Sequence, residues 1–320
     1  MPKLIPAGAL LTHRPLGSPQ SAVTAHFFPP HLMLLDLGPD ILTVICRYFS
    51  LPDLYNFARV CKLARRAAFS RSFLELSNRG HLAHNGHWCE LLFKRMPFIS
   101  FLRLVGPSNC IFLHQLAENV EVLNSLVDLN AVTNSVVSAQ SPYNYLIRDI
   151  LNRWATTLRR LRLVGLGFMT ADTLATCGPL THLTLQHSLR ALPPTLPPQL
   201  IALDISRNGL DLSMMPPSPT LRHLNVSMNG LTDGVVGMIP NLFPHLQSLV
   251  ANQAIMRPLA RRASGTLTDV GLLSLICEDS SRVHLRLHRL EFCNGCELSA
   301  GALAAFCRHH PLRSEDWRQG

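Results

Sequence analysis

The chain has 320 residues, of which 47% are apolar and 15% charged, and its formal net charge is +9. This composition is too apolar for a disordered chain, and no stretch approaches the roughly 20 uninterrupted apolar residues of a membrane-spanning helix. The Lys and Arg residues are dispersed, which favours solvated faces over a nucleic-acid site. Nine Cys at irregular spacing do not fit a disulfide framework. They indicate a reducing compartment, and we therefore expect a cytoplasmic or nuclear protein.

Residues 1–30 are rich in proline and contain Lys3 and Arg14 but no acidic residue. Frequent proline without hydrophobic periodicity predicts irregular structure. We expect a flexible tail here, and a transit peptide is the alternative.

Two short amphipathic helices are predicted next. Pro39 and Asp40 suit the first turn of one helix, because proline needs no amide partner there and an acid favours the positive end of the helix dipole. Pro52 and Asp53 open the second helix in the same way. The apolar faces are Ile41, Leu42, Ile45 and Phe49 in the first helix and Leu54, Phe57, Ala58, Cys61 and Ala64 in the second. Two helices of this size leave apolar surface uncovered, which invites a partner helix.

The segment from Leu35 to Phe73 resembles an F-box. Its residues 37–62 read L-G-P-D-I-L-T-V-I-C-R-Y-F-S-L-P-D-L-Y-N-F-A-R-V-C-K. The resemblance implies a small helical module that docks onto the Skp-type adaptor of a cullin–RING ubiquitin ligase. The docking or module-core positions implied by the resemblance are Leu37, Pro39, Ile41, Leu42, Ile45, Leu54, Val60 and Cys61.

The segment departs from the F-box pattern at one place. The family often has a tryptophan shortly after the valine-cysteine pair, where this chain has residues 63–66, and Trp88 is a later aromatic that could replace it. The alternative interpretation of the two helices is an ordinary helical hairpin that caps a repeat domain.

A repeated pattern occupies the chain from residue 99 onward. Residues 200–208 and 221–229 both match L-x-x-L-x-L-x-x-N, the pattern of leucine-rich repeats. The inner hydrophobic positions predict a short strand, and the Asn predicts a buried amide that satisfies backbone groups where the strand ends. More degraded copies begin at Ile99, Leu126, Leu158, Leu180, Leu246 and Leu287.

The returns between these units are of two kinds. Residues 191–198 and 214–219 are proline-rich and predict extended chain. The Thr-Asp pairs at 232–233 and 268–269 precede apolar runs and predict capped helices. The second of these segments also resembles the L-T-D-x-G-L run found in the leucine-rich repeats of F-box proteins. The long spacing between the last two units implies an insertion near residues 252–265.

The predicted domain order is a flexible tail at 1–30, an F-box at 31–75, a connector at 76–98 and an irregular leucine-rich-repeat domain at 99–320. The fold class is α/β: a leucine-rich-repeat solenoid of short parallel strands with mixed helical and extended returns, preceded by a small all-α F-box module.

Residues that alternate with the inward-facing strand leucines should line the concave face of the solenoid. The predicted target-binding positions are Arg160, Arg162, His182, Thr184, Gln186, Asp204, Ser206, His223, Asn225 and Ser227, and Ala202, Ser248, Arg289 and Glu291 complete the face. A protein partner that contacts an extended polar surface suits such a face. Taken singly, each of these positions can equally be a solvated strand residue.

No catalytic or metal motif stands out. The sequence contains no G-x-S-x-G, P-loop or H-E-x-x-H pattern, so we predict no enzyme activity, catalytic residue, metal or cofactor. Two Cys/His groupings are candidate zinc ligands: His81, His84, His87 and Cys89, and then Cys293, Cys296, Cys307, His309 and His310. The first has no second ligand pair at a known zinc spacing. In the second, Cys is common at the turn position of the repeat, and Cys307 follows the helical run 302–306 as a small core residue would.

These features predict a substrate-recognition adaptor subunit of a Skp–cullin–F-box E3 ubiquitin ligase, without membrane contact. Its F-box would dock to the Skp-type adaptor, and its repeats would bind a target protein. The alternatives are a leucine-rich-repeat scaffold without ligase association and a basic nucleic-acid-associated protein.

Overall fold

The chain forms a small helical unit followed by strands that alternate with helical or extended returns. A computed structural model describes residues 37–46, 48–49, 51–69, 73–77, 99–105, 116, 118, 123, 126–132, 143–166, 172–252, 267–276, 285, 287–291 and 298–310. The helices are α1 (Pro39–Cys46), α2 (Leu51–Val60), α3 (Lys62–Phe69), α4 (Tyr143–Arg153), α5 (Asp172–Ala175), α6 (Asp233–Leu242), α7 (Asp269–Ser274) and α8 (Ala300–His309). The strands are β1 (Phe73–Ser77), β2 (Phe101–Val105), β3 (Asp128–Val132), β4 (Arg160–Val164), β5 (His182–Gln186), β6 (Ala202–Asp204), β7 (His223–Asn225), β8 (Ser248–Val250) and β9 (Arg289–Glu291).

Helices α1, α2 and α3 share a core of their own. Leu42 and Cys46 of α1 are fully buried beside Leu54 of α2 and Ala64 of α3. Helix α1 begins at Pro39, as the sequence predicted. Three short helices around so few apolar side chains have only a marginally stable core by themselves. Contact with the next unit therefore matters for the stability of this helical unit.

The predicted second helix is wrong in one respect, because the chain makes two helices where one was expected. Helix α2 ends at Val60 and α3 begins at Lys62. The Cys61 sulfur accepts a hydrogen bond from the Ala64 amide at 3.3 Å, so it satisfies a free donor of the new helix. The Arg65 Nε also donates to the Ala58 carbonyl oxygen at 3.2 Å. These contacts hold the bend that the apolar periodicity did not reveal.

The strands form one parallel sheet in chain order, which contains nine strands within the described residues. Each of the predicted repeat units contributes one strand, from β2 to β9, and the strand leucines pair in register from Leu102 through Leu129 and Leu161 onward. Strand β1 was not predicted. It pairs with β2 from Phe73, so the sheet begins earlier than residue 99.

The returns match the two predicted kinds. The described proline-rich segments at 191–198 and 214–219 contain no helix. Helices α6 and α7 begin after Thr232 and Thr268, whose hydroxyls accept hydrogen bonds from backbone amides at 3.3 Å and 3.2 Å. The threonine caps therefore satisfy amide donors that the first turn leaves free.

A single apolar core runs through the repeats. It is built from the inward strand leucines and from large side chains of the returns, such as Trp154, Phe243 and Phe306. Phe69, the last residue of α3, packs against both this core and the core of α1–α3. The helical unit is therefore seated directly on the sheet.

Several predicted features lie outside the described residues: residues 1–30, Trp88, most of 252–265, the His81–Cys89 grouping, Cys293 and Cys296. Among the helices that the structure does describe, none has the length and apolar character needed to cross a bilayer.

Candidate interaction surfaces

The concave face is held in place by asparagines at the ends of the strands. The Asn208 Oδ1 accepts hydrogen bonds from the backbone amides of Ser188 (2.8 Å) and Leu189 (2.9 Å), in the preceding repeat. Its Nδ2 donates to the carbonyl oxygens of Leu185 and Ile205, both at 2.6 Å. One side chain thus satisfies backbone groups of two neighbouring repeats, as the pattern predicted.

Asn229 repeats this arrangement one unit later. Its Oδ1 accepts from the Leu210 amide at 3.0 Å, and its Nδ2 donates to the carbonyl oxygens of Ile205 and Val226, each at 3.0 Å. The Ile205 carbonyl therefore accepts a hydrogen bond from Asn208 and another from Asn229. The Ile205 carbonyl oxygen therefore connects two consecutive turns through hydrogen bonds.

The structure divides the ten predicted target-binding residues into three groups. Exposed residues are Arg160, Arg162, His182 and His223, partly buried ones are Thr184, Gln186, Asp204 and Asn225, and buried ones are Ser206 and Ser227. The two serines were therefore predicted wrongly as surface positions.

The reason is that each serine lies in the turn after a short strand. The Ser206 amide donates to Asp204 Oδ1 at 2.9 Å, and the Ser227 amide and hydroxyl donate to Asn225 Oδ1 at 3.1 Å and 2.7 Å. Asp204 and Asn225 thus hold the turns, and they have fewer free acceptor sites for a partner.

The sheet register places one residue of each strand in a row across the concave face. From β4 to β9 this row reads Arg160, His182, Ala202, His223, Ser248 and Arg289. We call it the cationic row. Neighbouring strands lie about 4.8 Å apart, so the two histidines, on either side of Ala202, are about 10 Å apart at their Cα atoms.

The two ends of the cationic row are already paired with acids. The Arg160 Nε lies 3.1 Å from Asp128 Oδ2, and Arg289 Nε donates to Glu291 Oε1 at 2.8 Å. Burial raises the pKa of the Asp128 carboxyl, against the opposing effect of Arg160 and then His182. Both arginines are thus partly neutralised.

The centre of the row has the opposite electrostatics. Burial lowers the pKa of His223, and the positive charges of His182, Arg222 and Arg289 lower it further. Every resolved influence on His223 therefore disfavours its protonated form.

The residues predicted to bind the adaptor also fall into separate groups. Leu42 and Leu54 are 0% and 1% exposed, so they stabilise the helical unit and do not form its surface. The partly buried positions are Leu37, Ile45 and Cys61, and the exposed ones are Pro39, Ile41 and Val60.

An exposed apolar stripe runs along α1 and continues to Tyr48, just past the end of the helix. Ile41, Val44 and Tyr48 are 52%, 47% and 85% exposed, and Val60 at the end of α2 is 61% exposed. Val44 and Tyr48 were absent from the sequence prediction. Their spacing from Ile41 is that of one helical face, so the same periodicity that located the helix could have found them.

No metal site emerges from the described residues, in which no three His, Cys, Asp or Glu side chains are grouped suitably. In the second Cys/His grouping, Cys307 and His309 are exposed, whereas His310 is buried. The His310 ring stacks on Phe306 with centroids 4.1 Å apart, and its Nδ1 lies 3.4 Å from the Leu287 amide that donates to it. His310 thus packs into the repeat core.

Comparison with known proteins gives one matching family model and several similar solved structures. A family model for the F-box domain matches residues 34–76. No curated protein matches the sequence. Similar solved structures include a protein from Bacteroides fragilis, at 15% identity and a TM-score of 0.37, which covers 71% of this chain and 68% of its own. Another is the complex of Rad7 and Elc1 from yeast, at 14% identity and a TM-score of 0.37, with 84% and 79% covered.

A short helical unit seated on a parallel solenoid of repeats, which are held together by asparagine side chains, defines a leucine-rich-repeat fold with an N-terminal helical module. The match at residues 34–76 identifies that module as an F-box domain. The chain thus combines an F-box domain with a leucine-rich-repeat fold. An F-box domain implies, in general, a role as the substrate adaptor of a Skp–cullin–F-box ligase.

Proposed function

We propose that this protein is a substrate-recognition subunit of a Skp–cullin–F-box ubiquitin ligase. The F-box docks onto the Skp-type adaptor, and the concave face of the repeats binds the protein to be ubiquitinated. The observation that carries the proposal is the apolar stripe of Ile41, Val44 and Tyr48, which stays exposed on a module whose own core is complete.

The stripe has the features of a docking site for a partner helix. Ile41 and Val44 lie on one face of α1, Tyr48 follows just past its end, and large exposed apolar groups of this kind mark interaction surfaces. Burying them would remove apolar area from water at about 25 cal/mol per Å². The exposed cations Lys62, Arg65 and Arg66 of α3 supply a charged surface on the same module. An acidic adaptor surface would complement them.

The mechanism requires no catalytic group in this chain. Holding a target protein on the same assembly as the conjugating enzyme converts an encounter between free molecules into an intramolecular one, which raises the effective concentration of the target lysines. We therefore propose that the protein acts by proximity, as a non-enzymatic adaptor, in the cytoplasm or the nucleus.

We propose two functional parts. The F-box part comprises the segment up to the end of α3, and the repeat part begins with β1, since that strand pairs with β2. The exposed residues Arg160, Arg162, His182 and His223 are the concave positions best placed to contact a target.

Binding of the full chain to a purified Skp-type adaptor tests the proposal. The variant Ile41→Asp/Val44→Asp should bind at least about 30-fold more weakly, the effect of losing about 2 kcal/mol at the centre of an interface. The matched control is Val270→Asp/Leu273→Asp, which places the same two charges at apolar residues of the repeats that are 71% and 40% exposed. It should bind as the unmutated chain does.

Failure of the unmutated chain to bind the adaptor would sink the proposal. The alternative function, a leucine-rich-repeat scaffold without ligase association, would then be the better interpretation. Circular dichroism of each variant shows whether a loss of binding reflects unfolding instead.

A further inference from the structure

A notch with a histidine on each side lies at the middle of the cationic row. His182 and His223 flank Ala202 in register, and Ala202 is the smallest side chain among its neighbours in that row. Resting on the proposed function, we propose that this notch binds a carboxylate from an acidic segment of the target protein, between the two imidazole rings.

The hydrogen bonds of His182 define which of its nitrogens is available. The Thr181 hydroxyl donates to the Arg159 carbonyl oxygen at 3.0 Å, so its single proton is used. The same oxygen lies 2.9 Å from His182 Nδ1 and must therefore accept a hydrogen bond from an Nδ1–H group. Neutral His182 then has a lone pair on Nε2, whereas the protonated ring has an N–H there. Only the protonated ring can donate to a carboxylate from Nε2.

The surroundings of His223 favour the same occupant. The charged or titratable groups that face it are His182 from β5, Arg222 from its own strand end and Arg289 from β9, all cationic when charged. Asp204 on β6 is already engaged by Gln186 Nε2 at 2.9 Å and by a backbone amide. Glu291 on β9 is held by Arg289. A carboxylate in the notch would offset the repulsion between the two histidines.

A single carboxylate fits this surface better than a polyphosphate chain. Within the row the unmet positive charge is local, because Asp128 partly neutralises Arg160 and Glu291 partly neutralises Arg289 at its two ends. Nucleic acid would need a continuous series of free cations along its backbone. The acids Asp128, Asp204 and Glu291 interrupt any such series on the described face. An acidic protein segment can place one carboxylate between the histidines and its other groups elsewhere.

The test measures fluorescence anisotropy of a labelled octaglutamate peptide with the full chain at pH 5.5 and pH 8.0, at constant ionic strength. Glutamate has an ordinary pKa near 4.3, so the peptide stays mainly ionised at both values. The unmutated chain should bind about fivefold more tightly at pH 5.5, and His182→Gln/His223→Gln should lose that difference. His245→Gln is the matched control, since His245 is exposed and lies outside the row. It should retain the full pH effect.

Three results would overturn the carboxylate site. These are octaglutamate binding that is absent or independent of pH, an equal loss in the His245→Gln control, and tighter binding of a twelve-nucleotide thymidine oligonucleotide than of the peptide. Adaptor binding is measured separately on the same preparations. If the adaptor fails to bind while the peptide binds as expected, the ligase role falls and the carboxylate site stands.

Discussion

Asn229 should be among the most stabilising polar residues of the repeats. Its side chain is 5% exposed and makes three hydrogen bonds to backbone groups. The substitution Asn229→Ala leaves the Leu210 amide and the Val226 carbonyl without these partners, whereas the Ile205 carbonyl keeps the bond from Asn208. A buried backbone group without a partner costs about 1–3 kcal/mol, so two of them predict a loss of about 2–6 kcal/mol.

Urea unfolding of the full chain, followed by far-ultraviolet circular dichroism, measures this loss. Native-state hydrogen exchange adds a local readout, because the Leu210 amide donates directly to Asn229 and should lose its protection. Asn241→Ala, at an exposed position of α6, is the matched control and should change the free energy of unfolding by less than about 0.5 kcal/mol. A change at Asn229 as small as that of the control, or a Leu210 amide that stays protected, would refute the reasoning.

Two further changes test the helical returns. Gly271→Ala should destabilise the fold by about 1–3 kcal/mol, because the new Cβ would lie 2.3 Å from Asp233 Oδ1. Gly237→Ala meets nothing closer than 3.4 Å and should instead stabilise by about 0.5–1 kcal/mol, which thermal unfolding of both variants would show. His310 should make stability depend on pH: burial lowers its pKa, the nearby Leu275 backbone opposes part of that shift, and His309 adds to it. Because the pKa is lower in the folded chain, the unfolded chain binds the proton at a higher pH than the folded chain does. The contribution of neutral His310 to the free energy of unfolding is therefore complete above the ordinary pKa near 6.5 and is lost as the pH falls below it. The substitution His310→Gln should reduce this loss in urea titrations from pH 8 to 5. An unchanged pH profile, or a tolerated Gly271→Ala, would contradict these assignments.

The repeat strands were predictable because their signal is local. A leucine pair and a following Asn at fixed spacing report burial and turn chemistry within one short segment, and Asn208 and Asn229 make the contacts that this chemistry requires. Strand β1 carries no such complete pattern, and only its pairing with β2 defines it.

The turns were harder to predict than the strands. His187, Arg207 and Met228 adopt the left-handed conformation, with φ of 50°, 63° and 59°, at the same repeat position as Gly165. Three of these four residues are not glycine, so composition does not mark the turn. The burial of Ser206 and Ser227 depends on the same turns. Strand alternation alone therefore could not predict that these two serines are buried.

The functional surfaces were predicted in part. The sequence located the F-box and the register of the concave face, but it could not separate core from surface in α1, since Leu42 and Ile41 are neighbours of similar character. Ion pairs between neighbouring strands could not be predicted from the sequence either. Arg160 meets Asp128 only because parallel pairing brings residues far apart in sequence into one row.

The position of Phe69 bears on which lysines of a target would be modified. This side chain packs into both cores, and only residues 70–72 separate α3 from β1. Through Phe69, the part that would face the ligase packs against the part that would hold the target. The solenoid would then hold the target in a fixed orientation relative to the ligase. Which lysines are ubiquitinated would depend on the position of each lysine on the bound target. Inserting a flexible glycine-serine linker at residues 70–72 should therefore widen the set of modified lysines without changing target affinity.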